Sequence, residues 1–248
     1  MKIMELYKKY RPKELDKVIG QETAVKMLKA KLKSNSLPHT LLFSGPSGCG
    51  KTTLARILRR KLECGKHDFV ELDCADFRGI EMVRGIRSRI QQVPISGKCR
   101  IWLVDEAHKL TNEAQNAFLK MLEDTPKHVY FMLATTEPQK LKRTIRTRCT
   151  EVVVKSLKRP SLKKLITNII KEEKITNISE EVMDAIVENS NGSARKALVF
   201  LNQIKEMNSE DDMIEAIQTT AAEVQAIAIA RILLHPRASW KQVSSILK

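Results

Sequence analysis

The sequence predicts an α/β protein: a doubly wound domain on a parallel five-stranded sheet, followed by a small helical domain and the start of a third helical segment. Two observations carry this. Five apolar runs of strand length recur between residues 40 and 155, separated by helical patterns, and after Ser156 no such run returns. Each run is nearly continuous in apolar content, as expected of parallel strands covered on both faces.

The runs are Thr40-Leu41-Leu42-Phe43, Phe69-Val70-Glu71-Leu72, Arg100-Ile101-Trp102-Leu103-Val104, Val129-Tyr130-Phe131-Met132-Leu133 and Glu151-Val152-Val153-Val154. Repeated strand–helix–strand units with right-handed crossovers give the doubly wound arrangement. Pro160 and Ser161 open a helix to about Lys174. Ser179-Glu180-Glu181 caps a second that ends near Asn191-Gly192, and Ser193 caps a third to about Met207. Asn208-Ser209-Glu210-Asp211-Asp212 reads as a polar linker. A last helical stretch, Met213 to Lys248, is broken at His235-Pro236 and carries Ile227, Ile229 and Trp240. It either docks on the preceding bundle or begins a third domain. The expected domains are 1–155, 156–208 and 213–248.

The 248 residues are 42% hydrophobic and 29% charged, an ordinary globular balance. No apolar run is long enough to span a bilayer, and the N-terminal residues lack a signal-peptide core, so a cytoplasmic protein with no membrane partner is expected (host cytoplasm if viral). Five cysteines without a Cys-x-x-Cys pair argue against a disulfide framework. Cys64, His67 and Cys74 lack the close pairing of structural zinc ligands, and no zinc is expected. The net charge is +15, and from Lys140 to Lys171 the only acid is Glu151. Such an excess suits a polyanionic partner, nucleic acid first.

The strongest motif is Gly45-Pro46-Ser47-Gly48-Cys49-Gly50-Lys51-Thr52, set between a strand and the helix opening at Thr53. Its glycines let backbone N–H groups turn inward around phosphates, and the helix N-terminus adds partial positive charge. Lys51 is placed to reach the β- and γ-phosphates of ATP, and Thr52 to hold Mg²⁺. The strand ending in Asp105-Glu106 sets two carboxylates at the sheet's C-terminal edge, where such sheets bind ligands. Asp105 is expected on the metal, and Glu106 on the attacking water. Thr135-Thr136 ends the fourth strand and offers a hydroxyl to the γ-phosphate or the water. Arg148, within Arg146-Thr147-Arg148-Cys149, is a candidate to reach a neighbouring subunit's γ-phosphate.

These residues resemble the AAA+ ATPase subunits of DNA polymerase clamp loaders, over roughly residues 5–207. The likeness rests on Lys9-Tyr10-Arg11-Pro12 with Val18-Ile19-Gly20-Gln21, the phosphate loop, Asp105-Glu106-Ala107-His108, Ala134-Thr135-Thr136, Thr147-Arg148-Cys149 and Gly192-Ser193-Ala194-Arg195-Lys196-Ala197-Leu198. The paired threonines and Leu119-Lys120-x-Leu122-Glu123 look more like bacterial gamma/tau motors than eukaryotic subunits of the replication factor C type. The resemblance implies a P-loop AAA+ domain with a helical lid. It also implies that Tyr10, Arg11, Pro12 and Val18 flank the adenine, that Thr136 and Arg195 sense the phosphates, and that Arg148 acts in trans. It implies a pentamer that opens a sliding clamp and loads it on primer–template DNA. Three features depart from the pattern: the four-cysteine zinc module of gamma/tau is missing after the P-loop helix, the finger motif is Thr-Arg-Cys where Ser-Arg-Cys is usual, and at most the first helices of the oligomerising collar follow. The compact, zinc-free form would suit a phage-type loader.

Arg78, Arg84 and Lys109 are candidates for contacting the DNA backbone, beside helix starts at Arg78-Gly79 and Thr111-Asn112. No aromatic series suggests base stacking. Gln115 reads either as a relay from DNA to Glu106 or as a solvated helix residue. Two other functions compete: another DNA-associated AAA+ ATPase, of branch-migration or helicase-loader type, and a stator-like subunit that binds nucleotide without turnover. Lys51, Thr52, Asp105 and Glu106 together argue against the stator.

Overall fold

The structure, a computed structural model, describes residues 5–76 and 78–233. These fall into two compact units: residues 11–157, and the residues up to 10 with those from 158 onward.

In the first unit the strands are β1 (Thr40–Ser44), β2 (Phe69–Asp73), β3 (Arg100–Asp105), β4 (Val129–Thr135) and β5 (Thr150–Val153). All four pairings are parallel, in the order β2-β3-β4-β1-β5. Because β1 sits between β4 and β5, the loop leaving it opens at a point where the strand order reverses. Alternate side chains face opposite helical layers. Leu42, Trp102, Val104, Phe131 and Leu133 join Val83 and Ile86 of α4 (Ile80–Arg89) and Phe118 and Met121 of α5 (Asn112–Glu123) in one core, with Phe118 edge-on to Phe131 at 5.1 Å. On the other face Leu41, Phe43, Ile101, Leu103 and Met132 are buried. So are Leu28 of α2 (Glu22–Lys33) and Leu54, Ile57 and Leu58 of α3 (Lys51–Lys61). A short helix, α6 (Arg143–Arg148), leads into β5.

The second unit holds α1 (Leu6–Lys9), α7 (Arg159–Glu173), α8 (Glu180–Asn189), α9 (Ala194–Ile204) and α10 (Glu210–Leu233). Ser179 Oγ accepts from Val182 N–H at 3.2 Å and Ser193 Oγ from Lys196 N–H at 3.3 Å, so both caps expected from sequence form. Residues 5–10 group with this helical unit rather than with the sheet. Leu6 is buried, α1 packs on α9, and Lys9 and Tyr10 both bond Glu173 of α7.

In this unit the start of α10 differs from its sequence reading. Glu210, Asp211 and Asp212, expected in a linker, form the first turn of α10, where Ser209 Oγ accepts from Asp212 N–H at 3.3 Å. Acids there are favoured by the helix macrodipole, which makes a polar cluster a start signal. Met213 and Ile217, one turn on, are fully buried. The expected break at His235-Pro236, and Trp240, lie outside the described residues.

Candidate active site

The phosphate loop runs from β1 into α3. Gly45 has φ +143° beside β5, and a Cβ there would lie 1.8 Å from the Val154 carbonyl oxygen. Gly48 (φ +74°) and Gly50 (φ +113°) also take backbone conformations that side chains disfavour. α3 starts at Lys51, two residues earlier than expected, so Lys51 and Thr52 stand in its first turn. Lys51 is buried, and its Nζ donates to the Gly45 and Pro46 carbonyls at 2.8 and 2.9 Å. Cys49 is buried in this loop. Burial pushes its thiol up, and its carbonyl accepts from Gln21 Nε2 at 3.4 Å. Gln21 also exchanges two bonds with the Lys155 backbone, which ties the loop to the end of β5.

Beside the loop, Thr52 Oγ1 donates to Asp105 Oδ2 at 3.0 Å. The hydroxyl and carboxylate expected on one metal are therefore adjacent, an oxygen pair suited to Mg²⁺. Glu106 follows with φ +50°, a conformation uncommon for a residue with a Cβ, and its N–H bonds Asp105 Oδ1 at 3.0 Å. Thr136 Oγ1 donates to Glu106 Oε2 at 3.4 Å. The neighbouring hydroxyl of Thr135 meets His108 Nδ1 at 3.1 Å. Lys51, Thr52, Asp105, Glu106 and Thr136 thus meet at the C-terminal edge of the sheet.

The remaining candidates are dispersed. Arg148 Nη1 donates to the Thr144 carbonyl at 3.0 Å and Nη2 pairs with Glu123. Arg195 is exposed at the start of α9, with its guanidinium 5.8 Å from the Tyr7 ring centroid. Tyr10 belongs to the helical unit, while Arg11, Pro12 and Val18 belong to the sheet unit. Arg78, Arg84 and Lys109 are exposed, and Arg84 pairs with Glu81 at 2.6 Å. The Arg78 carbonyl accepts from Thr111 N–H at 3.1 Å, which brings the starts of α4 and α5 together. Gln115 is buried, contrary to a solvated helix residue. Its amide donates to the Leu110 carbonyl at 3.1 Å and its carbonyl accepts from Lys142 N–H at 2.9 Å. The sequence assigned no role to Glu137, and His108 entered only as the last residue of Asp105-Glu106-Ala107-His108. The signal for His108 was its place two residues after Glu106.

The family model described as DNA polymerase III, delta subunit, matches residues 20–82 and 75–158. The chain belongs to this family. The gamma/tau subunit of DNA polymerase III from Mycobacterium tuberculosis H37Rv is 35% identical over 224 residues, 81% of this chain and 39% of that protein. The tau subunit of Escherichia coli K12 is 33% identical over 82% of this chain and 35% of its own length, and that of Bacillus subtilis 168 is 29% identical over 94% and 45%. The chain therefore spans less than half the length of these relatives. Among solved structures, the Thermotoga maritima RuvB Holliday junction branch migration motor superposes with a TM-score of 0.67 at 21% identity, covering 91% of this chain and 80% of that one. That likeness concerns the fold. Among the described residues no helix is long and apolar enough to cross a membrane.

Proposed function

We propose that this chain is the ATP-hydrolysing motor subunit of a clamp loader, which opens a sliding clamp and loads it onto primed DNA. The observation that carries the reading is the contact between Thr52 and Asp105 beside the Lys51 turn, with Glu106 and Thr136 bonded next to it. Family membership and the gamma/tau relatives support the biological setting.

In this reading the backbone N–H groups from Gly45 to Thr53 cradle the phosphates of ATP, and Lys51 neutralises charge on the β- and γ-oxygens. Mg²⁺, held by Thr52 and by Asp105 through water, would draw electron density from the same oxygens. Glu106 orients a water in line with the γ-phosphorus and accepts its proton as the bond to the ADP oxygen breaks. Thr136 fixes the rotamer of Glu106. Tyr10, Arg11, Pro12 and Val18 flank the adenine, and Arg195 reads the phosphates in cis. Arg148 leaves its Glu123 partner to stabilise transition-state charge in a neighbouring subunit of a pentameric assembly. Arg78, Arg84 and Lys109 track the DNA backbone without reading bases. Gln115 ties the loop before α5 to the segment after β4, and in this reading it relays DNA binding toward Glu106.

The test is ATP turnover by the assembled loader, with and without primed DNA and clamp. Stimulation by the two together is expected. Glu106→Gln should lower kcat by about 10²–10⁴-fold while ATP binding persists. Unchanged turnover in that variant would remove Glu106 from the chemistry, and no turnover by the assembled loader at all would remove the motor reading.

A further inference from the structure

We propose that His108 is the positioning residue of Glu106: it has one ring proton to share between Glu106 and Glu137, and so couples the water-orienting acid to the turn after β4. The inference rests on the hydrolytic reading of the site. It adds to that reading a residue and a means of holding Glu106 out of action.

The geometry is a short relay. His108 Nδ1 lies 3.3 Å from Glu106 Oε2 and 3.1 Å from Thr135 Oγ1, while Nε2 lies 3.4 Å from Glu137 Oε1. The imidazole is only 7% exposed. Burial pushes its pKa below the ordinary value, Glu106 and Glu137 pull it back up, and Lys140 and Lys109 add to the lowering. At neutral pH the ring is therefore neutral, with one nitrogen a donor and the other an acceptor. A carboxylate can only accept, so two carboxylates at opposite ring nitrogens cannot both be satisfied at once.

Thr135 decides what the unfavoured side costs. Its Oγ1 accepts from Glu137 N–H at 3.1 Å, which leaves the hydroxyl proton free to point at His108 Nδ1. With the ring proton on Nε2, His108 donates to Glu137, Thr135 donates to Nδ1, and Glu106 is released from the ring to orient water. With the proton on Nδ1, the ring donates to Glu106 and holds it. The two tautomers are thus a released and a held position of Glu106. Nothing covalent changes between them, and the net proton count is the same. Because Thr135 ends the strand whose next residue, Thr136, also bonds Glu106, a shift of that turn biases both contacts together.

Two measurements test this. The first is the ¹⁵N spectrum of the His108 ring in the full chain. Glu106→Ala should move the ring toward the Nε2–H tautomer and Glu137→Ala toward Nδ1–H. Identical ring shifts in the wild type and both variants would overturn the proposal. The second compares His108→Asn, whose amide nitrogen falls near the Nδ1 position, with His108→Gln, whose amide nitrogen falls near Nε2. In the assembled loader kcat of His108→Gln should exceed that of His108→Asn by about tenfold, a part of the 10²–10⁴ that proton transfer contributes, with KM for ATP unchanged in both. Equal kcat in the two variants, or a loss tracking only a lowered melting temperature, would leave His108 a packing residue. Glu106→Gln run alongside separates the failures. If it abolishes turnover while the histidine variants do not differ, only the His108 inference falls. If it does not, Glu106 is not the water-orienting acid, and the assignment on which this inference rests falls.

Discussion

Strand β3 carries a charged residue at each end, and the two ends treat charge in opposite ways. At its start Arg100 is buried and faces Asp68, which is fully buried, at 3.4 Å. The Asp68 carboxylate also accepts from the N–H groups of Ile95 and Ser96 at 2.7 and 2.8 Å, and Arg100 also donates to the Arg89 and Val93 carbonyls at 2.9 and 3.2 Å. At the other end Asp105 and Glu106 are half-buried, and Glu106 takes its side-chain contacts from Thr136 and His108 at 3.4 and 3.3 Å. The first arrangement surrounds its charge with the chain's own donors and fixes two loops, the one before β2 and the one before β3. The second leaves its carboxylates half-buried, with Glu106 in long contacts and Asp105 bonded to a hydroxyl and one N–H, which suits groups that must turn toward a metal and a water. A buried charge is structural where its own chain ligates it fully.

That contrast breaks if the same substitution harms both ends alike. Asp105→Asn should lower ATP turnover by about 10²–10³-fold, on the scale of removing one electrostatic stabiliser from a phosphate site. It should not lower the melting temperature, because Thr52 and the Glu106 N–H keep partners on an amide. Steady-state turnover and a thermal melt on one preparation check both halves.

Asp68→Ala should do the reverse. Removing one partner of a buried, hydrogen-bonded pair costs about 3–5 kcal/mol, here with two backbone N–H groups and a guanidinium left behind. Urea unfolding of the chain reads the loss directly. Affinity for ATP in the fraction still folded should stay as it is, since Asp68 sits at the opposite edge of the sheet from Lys51.

The two ends were not equally legible in the sequence. The loop Gly45–Thr52 and the pair Asp105-Glu106 are written contiguously, so spacing alone brings their groups to one edge once parallel strands are granted. Asp68 with Arg100, and His108 with Glu137, join residues from different loops, and only the register of β2, β3 and β4 makes them neighbours. Gln115 could not be told from a surface glutamine because its partners, Leu110 and Lys142, are backbone groups of segments with no signature. α8 and α9 were legible through their serine caps. The start of α10 was not, because three acids in succession suit a solvated linker and a helix N-terminus equally.

A smaller effect sharpens the same comparison. Gly97 packs against the loop after α3, where a Cβ would lie 2.3 Å from Gly65 N and 2.6 Å from the Glu63 carbonyl oxygen. Both contacts are backbone, so neither yields by a rotamer change. Gly97→Ala should cost about 1–3 kcal/mol by overpacking. It should do so without touching kcat, which distinguishes it from a substitution in the phosphate loop.

The mildest test needs no large structural change. Burial opposes the charged form of Asp68, but the Ile95 and Ser96 N–H groups and the Arg100 guanidinium outweigh it and hold its pKa below the ordinary carboxylate value. A carboxylate whose pKa is depressed on folding binds fewer protons in the native state than in the unfolded state through that interval. Its contribution is therefore complete above the unfolded value of about 3.9 and lost as pH falls through the lower folded value. Unfolding free energy should decline on the acid side of pH ~4, and Asp68→Asn, already weakened at neutral pH, should show a shallower decline there. Parallel slopes for the two proteins would mean that the acid sensitivity comes from other carboxylates and that the amino end of β3 is less tightly ligated than its geometry implies.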